Sequence, residues 1–235
     1  MSEKNDTGRQ NIITIDGPSG VGKSSVSRKL AAATGFTYLD TGAMYRGVGW
    51  YFLHHNVSFD DTRAMAVRLA ELHLDLLPAA DEQSDVGVLV DGENISAAIR
   101  TPEMAMVASR VSAIPLVRKV LTDIQRSYGE KGQIVAEGRD TGTVVFPQAA
   151  YKFFLDALPK ERAQRRCRQM QAQGVAADFT QILSMTLERD KNDSERAVAP
   201  LLQAPDAHRI DTTGITVDQV VEKILGIIAG DQQGK

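Results

Sequence analysis

Gly17-Pro-Ser-Gly-Val-Gly-Lys-Ser24 satisfies the pattern G-x-x-x-x-G-K-[S/T] at every fixed position. Glycines so placed let successive backbone N–H groups converge on phosphate oxygens, and a helix starting at the lysine adds its partial positive charge. Lys23 can then reach the β- and γ-phosphates, and the Ser24 hydroxyl can ligate Mg2+. An incidental glycine turn would need no particular surroundings. Here an apolar strand pattern precedes the motif and a helical pattern follows it, so motif and context agree. Gly17, Pro18, Ser19, Gly20, Val21, Gly22, Lys23, Ser24 and Ser25 are therefore expected to hold a nucleoside triphosphate, with Mg2+ at Ser24.

Two further segments carry candidate chemistry. In Asp40-Thr-Gly-Ala-Met-Tyr-Arg46, Thr41 offers a hydroxyl, Tyr45 a ring and a hydroxyl, and Arg46 a guanidinium. Glu137-Gly-Arg-Asp-Thr-Gly142 sets Arg139 and Asp140 side by side between glycines. Each directly follows an apolar strand. Strand ends along one edge of a parallel sheet form its binding crevice, which would place both segments beside the phosphate loop. A solvated loop is the bland reading; a glycine-bearing strand end favours function. Glu137 and Asp156 both end strands, and either could serve the magnesium side or merely cap the next turn. Lys160-Glu-Arg-Ala-Gln-Arg-Arg-Cys-Arg168 is the densest basic run. Its spacing places Arg162 over Arg166 and Glu161 over Arg165 on a helix, which suits either a solvated face or a basic lid with Arg162, Arg165 and Arg166.

The elements that must position these groups alternate. Asn11–Asp16, Phe36–Asp40, Gln133–Ala136, Tyr151–Asp156 and His208–Asp211 read as five short strands. Helices are expected over Lys23–Thr34 with Gly35 as its cap, Gly42–His55, Lys160–Gln173, Phe179–Lys191 and Val217–Ala229. Pro102 and Pro115 should each open another. Met65, Leu69, Leu72 and Leu76 give residues 60–76 helical spacing, and Val86–Val90, Asp91-Gly92 and Glu93–Ile95 make a hairpin with a preferred turn dipeptide. Strand–helix alternation with apolar strands predicts a parallel five-stranded sheet flanked by helices on both faces. The hairpin region, about 56–109, breaks the alternation and reads as an insertion.

Composition narrows the class. The 235 residues carry 27 basic and 30 acidic side chains, a net charge of −3, so no whole-protein basic field for nucleic acid exists. Arginine outnumbers lysine 17 to 10, which leans toward a bidentate grip on an anion. One cysteine, Cys167, excludes an internal disulfide and a thiolate zinc cluster. The chain has no run suited to a bilayer and its first ten residues lack a signal peptide's apolar stretch, so a cytoplasmic protein without membrane partners is expected, with residues 1–10 disordered. NKxD, the guanine-reading motif of switch GTPases, is absent. A small-molecule kinase remains open as to its acceptor, and a nucleotide-binding regulatory protein remains the different class to weigh.

Asp40-Thr-Gly-Ala-Met-Tyr-Arg46, Glu137-Gly-Arg-Asp140 through Val144-Val-Phe-Pro147, and Arg196-Ala-Val-Ala-Pro200 resemble the bacterial cytidylate kinase family, from about Ile12 to Leu225. The resemblance implies a P-loop NTPase α/β fold in one kinase domain: a core of about 11–40, 110–157 and 195–230, a monophosphate-binding lobe of about 41–109 and a lid of about 158–194. It implies phosphorylation of CMP, and of dCMP, by a monomer. Arg46, Arg139 and Arg196 would hold the monophosphate, Ser109, Arg118 and Asp140 would read the cytosine, and Arg189 with Asp193 would hold the ribose. Thr41 and Tyr45 would line the pocket; Lys23, Arg139, Arg189 and Arg196 would form the catalytic clamp. Independently, a carboxylate such as Asp140 suits the exocyclic amine of cytosine, the contact used on that base elsewhere.

Overall fold

The computed structural model describes residues 10–79, 84–172 and 174–233. Strand β1 (Gln10–Asp16) lies at the middle of a five-stranded sheet in the order β2–β6–β1–β7–β8, with β2 Thr37–Asp40, β6 Ile134–Gly138, β7 Ala149–Asp156 and β8 His208–Asp211. Every neighbouring pair is parallel, so the C-terminal ends of all five strands share one edge. The central strands are largely apolar on both sides because both faces are covered, whereas edge strand β8 (His-Arg-Ile-Asp) buries only Ile210. Ile12 packs with helices α2 (Thr41–His54) and α5 (Pro115–Gly129), whereas Ile13 and Ile15 face α1 (Lys23–Thr34) and α8 (Val217–Gln233). All five expected strands are present. The expectation for residues 1–10 lies outside the described residues, save Gln10, which opens β1.

Between β2 and β6 the chain forms α2, α3 (Thr62–Glu71), a three-stranded antiparallel sheet and α4 (Pro102–Ser112) before α5. Residues 60–76 are only partly helical. Met65 and Leu69 do face the core, but Leu72 has extended backbone at φ −67°, ψ 124°, and Leu74–Leu77 is strand β3. Pairing of β3 with β4 (Gly87–Val90) overrides the helical spacing of Leu72 and Leu76, a tertiary contact that periodicity cannot register. The hairpin itself holds: Asp91 and Gly92 have φ of 50° and 83°, joining β4 to the short β5 (Glu93–Asn94).

Pro102 and Pro115 open α4 and α5 as expected. One turn was not foreseen. After β6, Thr141–Val145 forms a π-helical turn, a conformation often found at functional sites. Past β7, α6 (Pro159–Ala172) and α7 (Phe179–Glu195) pack as a pair around Ala163, Cys167 and Ile182. The cysteine is buried in that small core.

Candidate active site

The phosphate loop leaves β1 at Asp16. Gly17 has φ +148°, and a Cβ there would stand 2.1 Å from the Leu155 carbonyl oxygen, so no side chain fits. Gly20 and Gly22 also have positive φ, and Gly22 starts α1 without any side-chain cap, which leaves the first-turn N–H groups free of one. Val21 is buried and its carbonyl accepts from the Thr212 hydroxyl at 3.1 Å. Ser25 lies half-buried in the first turn of α1. Lys23 Nζ reaches back across the loop to the Pro18 carbonyl at 2.8 Å.

Burial pushes the Lys23 ammonium well below its ordinary pKa, and the charge of Arg139 and then Arg189 adds to that, against Glu137 and Asp193. Ser24 Oγ and the Tyr38 hydroxyl both donate to Glu137 Oε1 at 2.8 Å. Glu137 Oε2 is buried with no hydrogen-bond partner among the described residues. Burial and the nearby Asp40 raise the Glu137 carboxyl, with Lys23 opposing. Asp156 is engaged elsewhere, accepting from its own turn at Ala157 N (2.9 Å) and from Arg209 (2.6 Å). Of the two strand-end acids, Glu137 is the one beside Ser24.

The second group surrounds the ends of β2 and β6. Asp40 caps α2 through Ala43 N (2.8 Å) and accepts from Arg46 Nη2 (3.0 Å), while Thr41 Oγ1 donates to the Glu137 carbonyl at 2.7 Å. Asp140 is buried and bridges two arginines: Arg118 Nη2 meets Oδ2, and Arg196 Nη2 meets Oδ1 at 3.2 Å. The Arg118 guanidinium also lies over the Tyr45 ring, 5.6 Å from its centroid, and burial pushes the Tyr45 phenol up to about 12. Ser109 reaches this cluster through Ser112. Its carbonyl accepts from Ser112 Oγ at 2.8 Å, and Ser112 in turn accepts from Arg196 (3.4 Å, hydroxyl) and Arg118 (3.3 Å, carbonyl). Arg139 Nε donates to Asp193 Oδ2 at 2.7 Å; burial works to raise the Asp193 carboxyl, but the charge and hydrogen bond of Arg139, together with the charges of Arg189 and Arg196, hold it below its usual range.

From α7, Arg189 Nη1 donates to Ser19 Oγ at 3.2 Å, bringing the far helix pair onto the phosphate loop. Burial first, then Arg139, pulls Arg189 down to about 10, with Arg46 and Arg166 adding to the effect; it remains charged near neutrality. Burial also lowers Arg196. The three arginines of the α6 run are placed differently. Arg162 is buried and donates to the carbonyls of Ala157 (3.0 Å) and Ser19 (3.0 Å) and to Asp190 (2.9 Å). Arg165 pairs with Glu161 one turn back at 3.1 Å and with Thr212 Oγ1 at 3.1 Å. Arg166, half-buried, donates through Nη1 to Gln169 at 2.6 Å, and its charge is felt at Arg189. The first two thus brace the underside of the loop from α6.

The sequence pattern had not marked Asp16, Tyr38, Ser112, Asp190 or Thr212. Asp16, an acid closing a buried strand next to Gly17, was visible as an anomaly; the others are ordinary polar residues that only the fold brings to the site.

A central parallel strand running through a glycine loop into a helix, with basic side chains converging on that loop, defines a P-loop nucleoside-triphosphate-binding protein. The family model described as cytidylate kinase matches residues 13–230, and the chain belongs to that family. It is 45% identical over 225 residues to a cytidylate kinase of Syntrophotalea carbinolica, covering 96% of this chain and 94% of that one. It is 46% identical over 220 residues to a bifunctional pantoate ligase/cytidylate kinase of Synechococcus elongatus, of whose length the chain spans 42%. A crystal structure of an uncharacterized protein from Eubacterium ventriosum superposes with a TM-score of 0.51 at 16% identity, covering 93% of this chain and 98% of that one, a likeness of fold alone. Among the described residues, no helix is long and apolar enough to cross a membrane.

Proposed function

We propose that the protein transfers the γ-phosphoryl group of ATP to CMP and dCMP by direct in-line displacement. The observation that carries this reading is a crowd of cations around the loop whose hydrogen-bonding capacity the nearby acids do not exhaust. Beyond burial, the charges of Arg139 and Arg189 push Lys23 down and that of Arg139 pushes Arg189 down, and the buried Nε groups of Arg46 and Arg189 have no acceptor among the described residues. A bound anion would supply the missing acceptors and offset the crowding of like charge. The names of the relatives point to the same acceptor.

In this reading residues Gly17–Ser25 cradle the triphosphate, and Lys23 exchanges its carbonyl partner for phosphate oxygens. Arg46, Arg139 and Arg196 take the acceptor phosphate, and Arg189 with Asp193 takes the ribose. Thr41 and Tyr45 line the pocket. Arg118, Ser109 and Asp140 read cytosine. Asp140 now holds Arg118 and Arg196 together; when Arg196 turns to the phosphate, Oδ1 is released to accept from the cytosine amine. Uracil would present an oxygen there and leave an unpaired, repulsive contact. Because the transferred group passes through a loose transition state, positioned cations suffice and no covalent nucleophile is needed.

Ser24 Oγ and the unpartnered Glu137 Oε2 are hard oxygen donors of the kind Mg2+ prefers, so this pair would hold the ion. When bound, Mg2+ neutralises charge on the β- and γ-phosphates. Residues 41–109 serve as the monophosphate lobe and 158–194 as a lid. Arg166, near Arg189 and bonded only within α6 among the described residues, is the arginine of that run we assign to lid closure, which would exclude water from the reaction. The protein works as a cytoplasmic monomer.

A coupled ADP-release assay across CMP, dCMP, UMP, AMP and shikimate tests the reading. Turnover with the two cytidine monophosphates should exceed the others by at least about tenfold. Preference for a different acceptor would overturn it.

A further inference from the structure

Asp16 is used by none of the contacts just assigned, yet it is buried at the hinge between the two halves of the site. Its carboxylate accepts three hydrogen bonds, from Thr141 N at 2.9 Å, Thr141 Oγ1 at 2.8 Å and Gly142 N at 2.8 Å. Those donors immediately follow Arg139 and Asp140. On the other side, Asp16 is bonded through the chain to Gly17, the first glycine of the phosphate loop. The two strand ends lie in register, Asp16 opposite Gly138. The space around the contact is full. A Cβ on Gly142 would stand 2.9 Å from Thr14 Oγ1 and 3.3 Å from Asp16 Oδ2, and a Cβ on Gly138 would stand 2.7 Å from Thr141 Cγ2.

We infer that Asp16 is a positioning residue for base recognition: it fixes the π-helical turn after Asp140 and so sets where the Asp140 carboxylate points. The turn begins at Asp140, whose own backbone sits at φ −145°, ψ 22°, outside helical geometry and with no side-chain cap. Thr141 and Gly142 are the first residues of the turn, where N–H groups lack partners within it, and a buried N–H without an acceptor is costly. Asp16 supplies those acceptors from a different strand. Remove one and the turn can rotate, carrying Asp140 away from Arg118 and from the base. Burial, opposed by these three hydrogen bonds, lifts the Asp16 carboxyl to about 6, and the nearby Asp140 charge adds to it. The protein therefore keeps an acid in an unfavourable setting, as positioning groups in sites often are.

The inference rests on CMP as acceptor, and the test separates the two. Asp16→Asn keeps the shape but turns one acceptor into a donor facing an N–H. Thr141→Val removes one of the three donors without a change in volume. For each folded variant, kcat/KM is measured with CMP and with UMP, KM for ATP is measured at saturating CMP, and Tm is recorded. The CMP-to-UMP ratio should fall roughly tenfold in Asp16→Asn and about threefold in Thr141→Val, with KM for ATP within about twofold of wild type. A lowered Tm with an unchanged ratio would reduce Asp16 to a structural residue and overturn the inference. If Asp16→Asn does not fold, the ratio in Thr141→Val decides. Wild-type protein that shows no preference for CMP would instead sink the functional reading, and the inference with it.

Discussion

Asp140→Asn tests base recognition directly, and its consequences can be worked from the contacts. The carboxylate is buried and shared between Arg118 and Arg196. Asparagine has nearly the same shape, so no cavity opens. One oxygen is kept, and it can serve only one of the two guanidinium groups. Arg118 is itself 4% exposed and would lose its counter-charge, whereas Arg196 keeps acceptors at the Ala199 carbonyl and the Ser112 hydroxyl. Complete removal of one partner from a buried ion pair costs about 3–5 kcal/mol; with an oxygen retained, roughly 1–3 kcal/mol of stability should be lost. Substrate choice should change separately. The new amide can donate to O4 of uracil and no longer accepts as an anion from the amine of cytosine. Losing one such contact is worth about 1–3 kcal/mol, so the kcat/KM ratio of CMP to UMP should fall at least about tenfold. Both substrates are run through the ADP-release assay on protein whose folding is checked by its melting transition. A folded variant with the wild-type ratio would refute base reading by Asp140, leaving it as the counter-ion of Arg118 and Arg196.

Lys23→Ala should abolish phosphoryl transfer with CMP while far-ultraviolet circular dichroism stays unchanged, because the hydrogen bond of Lys23 is to the Pro18 carbonyl within the phosphate loop and not to the core. Arg196→Ala should raise KM for CMP by at least about tenfold with ATP binding, followed by calorimetry, little altered; equal affinity and turnover would remove it from the acceptor site. Stability should carry the signature of Asp16. Its carboxyl is lifted from 3.8 to about 6 in the folded protein, so protonation is favoured by folding. Its contribution is therefore fully present below the unfolded value and lost as pH rises through about 6. Relative to Asp16→Asn, wild-type stability in denaturant titrations should increase by about 1 kcal/mol between pH 7 and pH 5, and a difference independent of pH would contradict the shift.

Local chemistry made the phosphate cradle legible before any fold was known. Its function depends on glycines and a lysine at fixed spacing, all within one βα turn. The five parallel strands were legible for a similar reason: strands buried on both faces are apolar throughout, and helices must lie between them. The Gly35 cap and the prolines that open α4 and α5 act within one turn of chain. Leu72 and Leu76 fit the helical period well but fall outside α3, because antiparallel pairing with β4 is a contact made across the chain. The π-helical turn at Thr141–Val145 was invisible for the same reason, since the acceptor that holds it, Asp16, lies 125 residues earlier. Tertiary structure alone decided how the charges pair. It set Asp140 between Arg118 and Arg196, committed Arg162 to the underside of the phosphate loop, and chose Glu137 over Asp156 as the neighbour of Ser24. A sequence specifies which charges exist; whether two of them meet, and in how little water, depends on which strand ends the sheet order brings together.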